Sequence, residues 1–179
     1  MTFEQNTAVD LIHVCGLPAV PDLVLASRAR HLVTCLGDSG LEQTPLGIME
    51  GRHLKLVMHD IDELRDGYTP PSEAHVADLL DFVGKWDRTA PMIIHCYAGI
   101  SRSTAATFIT LCALNPATPE ALIARRLRKA SPSATPNRRL VMLGDAALGR
   151  EGRMIDAIAA IGSGDVSLAK PFWVASRMD

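Results

Sequence analysis

Residues 92–103, MIIHCYAGISRS, restrict the fold more than any other part of the chain. Met92–Cys96 is a short, mostly apolar run between Pro91 and a small-residue loop, the pattern of a strand buried on both faces. From Arg102 the chain reads RSTAATFITLCAL and stops at Asn115-Pro116, the pattern of a helix with a buried face. Only Tyr97, Ala98, Gly99, Ile100 and Ser101 lie between them. A buried strand that turns this tightly into a helix belongs in a sheet covered by helices.

The flanking sequence fits that frame. Leu11–Cys15, His31–Leu36 and His53–Met58 are further β-rich runs bounded by Gly, Pro, Asp or Ser. The first two are expected to be half-buried. Ser72 is placed to cap a helix in which Val76, Leu79, Leu80 and Val83 recur on one face. Thr118-Pro119-Glu120 opens a helix to about Lys129, Asn137 could cap another through Leu148, and Arg153–Ile161 forms a last one. The tail after 162–164 reads as irregular, with 171–174 able to dock in extended form. Strands early, helices late and one strand–helix–strand crossover predict a single α/β domain. Its central sheet is mixed, largely parallel, of about 4–5 strands, and flanked by helices. The core spans about 10–161, with 162–179 as a C-terminal tail.

Composition excludes several classes. At 179 residues the chain can bury a substantial core. A net charge of -2 and 4% aromatic residues argue against nucleic-acid binding. No uncharged run approaches the roughly 18 residues of a membrane span, and MTFEQNTAVD lacks the basic start of a signal peptide. The expectation is a cytoplasmic protein with no membrane or nucleic-acid partner and no set oligomeric state. Cys15, Cys35 and Cys112 sit in apolar contexts and read as small buried side chains. No Cys or His spacing suggests a metal, and no cofactor is expected.

Cys96 differs from the other cysteines. A tight loop after it would turn the backbone N–H groups of Tyr97, Ala98, Gly99, Ile100 and Ser101 inward. Gly99 permits the backbone conformation this needs, and the following helix adds its unpaired N–H groups and positive dipole end. Such a nest suits a tetrahedral dianion. The same setting favours the thiolate form of a cysteine. Arg102 adds a planar fork for two phosphate oxygens.

His95, Cys96, Gly99, Arg102 and Ser103 together form H-C-x-x-G-x-x-R-S. This resembles the active-site signature of the cysteine-dependent protein tyrosine and dual-specificity phosphatases, in a compact, bacterial-type size class. The resemblance spans about residues 10–145, with only the loop specific. It implies a dual-specificity phosphatase-like fold and hydrolysis of phosphomonoesters through a phosphocysteine. The substrate would be phosphotyrosine, with phosphoserine and phosphothreonine as further targets in a phosphorylated protein, or a small phosphoester. Cys96 takes the place of the nucleophile and Arg102 that of the phosphate clamp. Ser103 matches the hydroxyl that bonds the departing sulfur, and His95 a structural histidine under the loop. Inositol, nucleotide or sugar phosphates remain an alternative, as does a silent phosphate-binding module. The absence of lysine at 97–101 counts against a lipid headgroup.

A thiolate displaces an alkoxide only when the leaving oxygen is protonated. The family carries that acid some thirty-odd residues earlier, and VMHDIDELRDGYTPP offers Asp60, Asp62, Glu63 and Asp66. Asp60 is first after its strand and is the preferred acid. Asn137 resembles a family asparagine that holds neighbouring segments, and a helix cap explains it equally well. Arg125, Arg126, Arg128, Lys129, Arg138 and Arg139 could steer an anionic ligand or form a solvated face.

Overall fold

The computed structural model describes residues 10–37 and 43–178. Residues 1–9, on which the expectation about a signal peptide rests, lie outside it together with 38–42 and Asp179. Among the described residues, five strands form one sheet in the order β3-β2-β4-β1-β5. They are β1 at Leu11–Gly16, β2 at His31–Leu36, β3 at His53–Val57, β4 at Met92–Cys96 and β5 at Phe172–Ala175. The first four pair in parallel, and β5 lies antiparallel against β1. The segment expected only to dock is therefore an edge strand of the sheet.

Six helices accompany the strands: α1 at Val20–Ser27, α2 at Glu73–Gly84, α3 at Arg102–Leu114, α4 at Glu120–Ala130, α5 at Arg138–Ala147 and α6 at Arg153–Ile161. Pleating sends alternate strand residues to opposite faces. Ile12, Val14, Val33, Cys35, Met92 and Ile94 meet Phe108, Ile109 and the other buried side chains of α2–α6. Cys15, Leu32 and Ile93 face the other way, onto Val20 and Val24 of α1.

One further expectation needs correction, and one element is new. All of β2 is buried rather than half of it, because strands and helices cover both its edges and both its faces. Helix α1 was not anticipated. It has only eight residues, and Val20 and Val24 are its only buried side chains, too few for a visible period. Pro21 near its start and Asp22 in its first turn were the available signals. No helix among the described residues is long and apolar enough to cross a membrane.

The expected basic face is partly structural. Arg128 donates to the carbonyls of Ile161, Ala134 and Gly162, and Arg139 Nε donates to the carbonyl of Pro71. Arg125, Lys129 and Arg138 are exposed.

Candidate active site

The carboxyl ends of parallel strands β1, β2, β3 and β4 deliver their loops to one edge, where open α/β sheets bind ligands. Strand β4 ends on Cys96, the chain turns through 97–101, and α3 starts at Arg102. The turn closes on the sulfur. Gly99 N–H donates to Cys96 Sγ across 3.2 Å, and Ser103 Oγ lies 3.1 Å from it. Cys96 is buried, whereas Tyr97 is 71% exposed at the mouth of the loop.

The loop is braced from both sides. Gly99 has φ +77°, and an added Cβ would stand 2.6 Å from the Cys15 carbonyl carbon at the end of β1. Leu17 N–H donates to the Tyr97 carbonyl. From the other side, Thr135 N–H donates to Ile100 O and Asn137 N–H to Ser101 O. Gly99→Ala is expected to cost about 1–3 kcal/mol from the left-handed backbone alone, with more from the collision. The check is a denaturant midpoint alongside the rate, and unchanged values of both would show that the loop does not need this conformation.

Arg102 is buried and aimed back under the loop that follows β3. Its Nη1 donates to the Met58 carbonyl at 2.8 Å, while Nε has no hydrogen-bond partner and lies 4.0 Å from Asp60 Oδ2. Asp60 Oδ1 accepts from the Ser101 hydroxyl at 2.7 Å and from Asn137 Nδ2 at 2.9 Å. The Asn137 side-chain oxygen meanwhile caps α5 by accepting from Leu140 N–H. The two alternatives for Asn137 thus coexist on opposite ends of one amide.

Asp62 points elsewhere and accepts from Arg139 N–H at 3.3 Å. Glu63 and Asp66 are exposed on the same loop. That loop is pinched at its base: His59 N–H donates to the Thr69 carbonyl and Thr69 N–H returns to His59 Nδ1. A cavity of about 450 Å³ opens beside Asp60, with Asp62, Asn137 and Arg138 on its polar side and Ile155 and Ile158 of α6 on its apolar side.

Beneath the loop, His95 sits on the α1-facing side of the sheet. Register places Thr34 beside it and His53 one strand further. His95 Nε2 lies 2.7 Å from Thr34 Oγ1, which lies 2.8 Å from His53 Nε2. Motif reading missed Thr34, His53, Met58 and Thr135. Strand register was the one signal for the first two, and it is readable only once the pairing is known.

The titratable groups separate by burial. Burial pushes the Cys15 and Cys112 thiols up to about 12 and Cys35 also upward, with the nearby Cys96 adding to its shift. These three are inert at neutral pH. Burial likewise pulls His95 down to about 4, and burial with Lys55 pulls His53 to about 4. Both are neutral in the folded chain at pH 7. An unfolded chain protonates them near 6.5, so between about pH 6.5 and 4 it binds more protons than the folded one. Stability must fall as pH drops through that window. Melting temperatures at pH 7 and pH 5 test this, and a melting temperature that does not fall at pH 5 would contradict the neutral assignment.

Residues 52–129 match the protein-tyrosine phosphatase family model. No curated protein matches the chain by sequence. Among solved structures, DUSP15 superposes with a TM-score of 0.62 at 15% identity, covering 84% of this chain and 89% of that one. The PTP-2 phosphatase of Cydia pomonella superposes with a TM-score of 0.60 at 18% identity, covering 75% and 84%. PTPMT1, solved in complex with PI(5)P, gives 0.55 at 15% identity, covering 83% and 88%. At these identities the likeness is one of fold, and it is the fold of dual-specificity phosphatases.

Proposed function

We propose, for a chain that belongs to the protein-tyrosine phosphatase family through residues 52–129, hydrolysis of phosphomonoesters through a phosphocysteine at Cys96. Family membership makes it a cysteine-dependent phosphoric monoester hydrolase. The assignment of residues is our own reading. The observation that carries it is the buried Arg102 Nε, a cationic donor without a hydrogen-bond partner, at the close of the loop whose Gly99 N–H, with Ser103, holds the Cys96 sulfur. An unpaired buried donor costs about 1–3 kcal/mol or more, and a phosphate oxygen in the loop would satisfy it.

In the first step the Cys96 thiolate attacks phosphorus while the bond to the leaving oxygen breaks. Arg102 and the amides of 97–101 hold the equatorial oxygens. Asp60 supplies the proton. Its Oδ1 already accepts two donors, so the acid proton belongs on Oδ2, the oxygen turned toward Arg102. Asp62, engaged with the start of α5, lacks that alignment. In the second step Asp60 takes a proton from water, which attacks the phosphocysteine. Ser103 then supports the departing sulfur from 3.1 Å. No step calls for a metal.

The substrate reading is phosphotyrosine, extending to phosphoserine and phosphothreonine, in a single phosphatase domain with 162–179 as its tail. The neighbour solved with PI(5)P motivates a second reading, an inositol phosphate. The experiment is hydrolysis of p-nitrophenyl phosphate in excess EDTA with vanadate as inhibitor, followed by a panel of phosphopeptides, inositol phosphates and nucleotides. Turnover that survives EDTA and is blocked by vanadate is expected. Loss in EDTA would overturn the mechanism, and preference for inositol phosphates would overturn the protein-substrate reading while leaving the chemistry intact.

A further inference from the structure

The cavity beside Asp60 has one wall in the proposed active site and another on helix α6. Asp60, Ser101 and Asn137, joined through Asp60 Oδ1, make the first wall. Ile155, Ile158 and Ala159 make the second. Spacings of three and four residues put these three on one face of the helix. That face is wider than the core requires. Met154, Ala157 and Ile158 are the buried residues of α6, whereas Ile155 is half-buried and Ala159 exposed. The apolar stripe thus runs past the core and out along the cavity.

The α6 wall is held in place. Arg128 donates to the carbonyls of Ile161 and Gly162 at the end of the helix, at 2.7 and 2.8 Å, and to that of Ala134 at 2.6 Å. Gly164 N–H donates to Thr135 Oγ1 and Asp165 N–H to the Pro132 carbonyl, both at 3.0 Å. Thr135 N–H in turn donates to Ile100 O, in the loop after Cys96. One short segment, 132–135, therefore fastens the end of α6 on one side and that loop on the other. The separation of the two walls is set by these bonds, so the cavity is preformed. Its volume of about 450 Å³ lies within the roughly 300–1,000 Å³ of small-ligand sites.

We infer that this cavity is a specificity subsite, which takes an apolar side chain of the substrate protein beside the phosphorylated residue. The inference rests on the phosphatase reading, with Asp60 as the acid. The leaving oxygen has to lie within hydrogen-bond reach of that carboxyl, so the phosphorylated residue is set down where the cavity begins. A neighbouring side chain then falls across Asp60 toward α6. Ile155, Ile158 and Ala159 offer it a surface without a hydrogen-bonding side chain, and burial there favours leucine over alanine. An aspartate at that place gives up its water against the same surface and meets the Asp62 carboxylate. Arg138, the cation that lines the cavity, is exposed and attracts it only weakly.

The test is kcat/KM of the full chain on phosphotyrosine peptides in which each flanking residue is in turn leucine, alanine or aspartate. At one position leucine should exceed both of the others by about tenfold. Ile155→Ser strips the wall, and Ala159→Phe, at an exposed position, fills the space. Each should bring the leucine-to-alanine ratio at that position close to one. The ratio compares two peptides on one preparation, so loss of folded enzyme cancels from it.

Binding is read separately on Cys96→Ser, through the isoleucine δ1-methyl NMR signals. The leucine peptide should shift Ile155 and Ile158, and the alanine peptide should leave them in place. Wild-type ratios near one at every flanking position, or a ratio unchanged in either variant, would overturn the inference. So would Ile155 and Ile158 methyls unmoved by the leucine peptide. Methyl shifts in a chain that hydrolyses no phosphoester would uphold the subsite and count against the proposed function alone. Flat ratios in an active enzyme would do the reverse.

Discussion

Cys96→Ser is expected to abolish turnover, by about 10⁴-fold or more, while a tetrahedral dianion still binds. Serine keeps the size and place of the side chain, but its hydroxyl is not an effective nucleophile at neutral pH without a base beside it. The side chain that hydrogen-bonds the sulfur is Ser103, not a base. The loop that would hold the dianion is braced by backbone bonds from Leu17, Thr135 and Asn137, none of which involves the thiol. The measurements are kcat on p-nitrophenyl phosphate, trapping of phosphoenzyme by acid quench, and tungstate binding by calorimetry. Residual turnover within a factor of ten of wild type would remove Cys96 from the nucleophile's place. Loss of tungstate binding together with turnover would show that the substitution had collapsed the loop, and Cys96→Ala would then separate shape from chemistry.

Asp60→Asn is expected to lower kcat by about 10²–10⁴-fold with little change in KM. The asparagine can still accept the Ser101 and Asn137 donors at one oxygen, so loop geometry is preserved and only the transferable proton is lost. The deficit should shrink as the leaving group becomes a better one, because a stable phenolate needs no proton. Kinetics on a series of aryl phosphates measure that trend directly. A nearly silent Asp60→Asn beside a crippled Asp62→Asn would move the acid to Asp62. The geometry argues otherwise: Asp62 is oriented by the α5 backbone, and Asp60 by Ser101 of the loop after Cys96.

The legible parts of this molecule are those whose chemistry is local in sequence. The strand–loop–helix unit at 92–114 could be read because an apolar run, a glycine and a helix start lie within a few turns of one another. Cys96, Gly99, Arg102 and Ser103 converge through that loop alone. Helix α2 was legible through its periodicity, and Ser72 does form a capping box with His75. Helix α1 and the full burial of β2 were not legible, because each depends on what packs against it. Asn137 stood between two readings, since one side chain serves both the helix end and Asp60.

The sequence by itself determined the loop that brings Cys96, Gly99, Arg102 and Ser103 together, because five intervening residues leave the backbone few ways to connect a buried strand to a helix. Only the tertiary structure decided which carboxylate reaches that loop, since Asp60 lies 41 residues from Ser101 and 77 from Asn137. The same is true of the line from His53 through Thr34 to His95, whose members lie on three strands. Sheet register fixes their proximity, and register arises from the packing of the two faces rather than from any one segment.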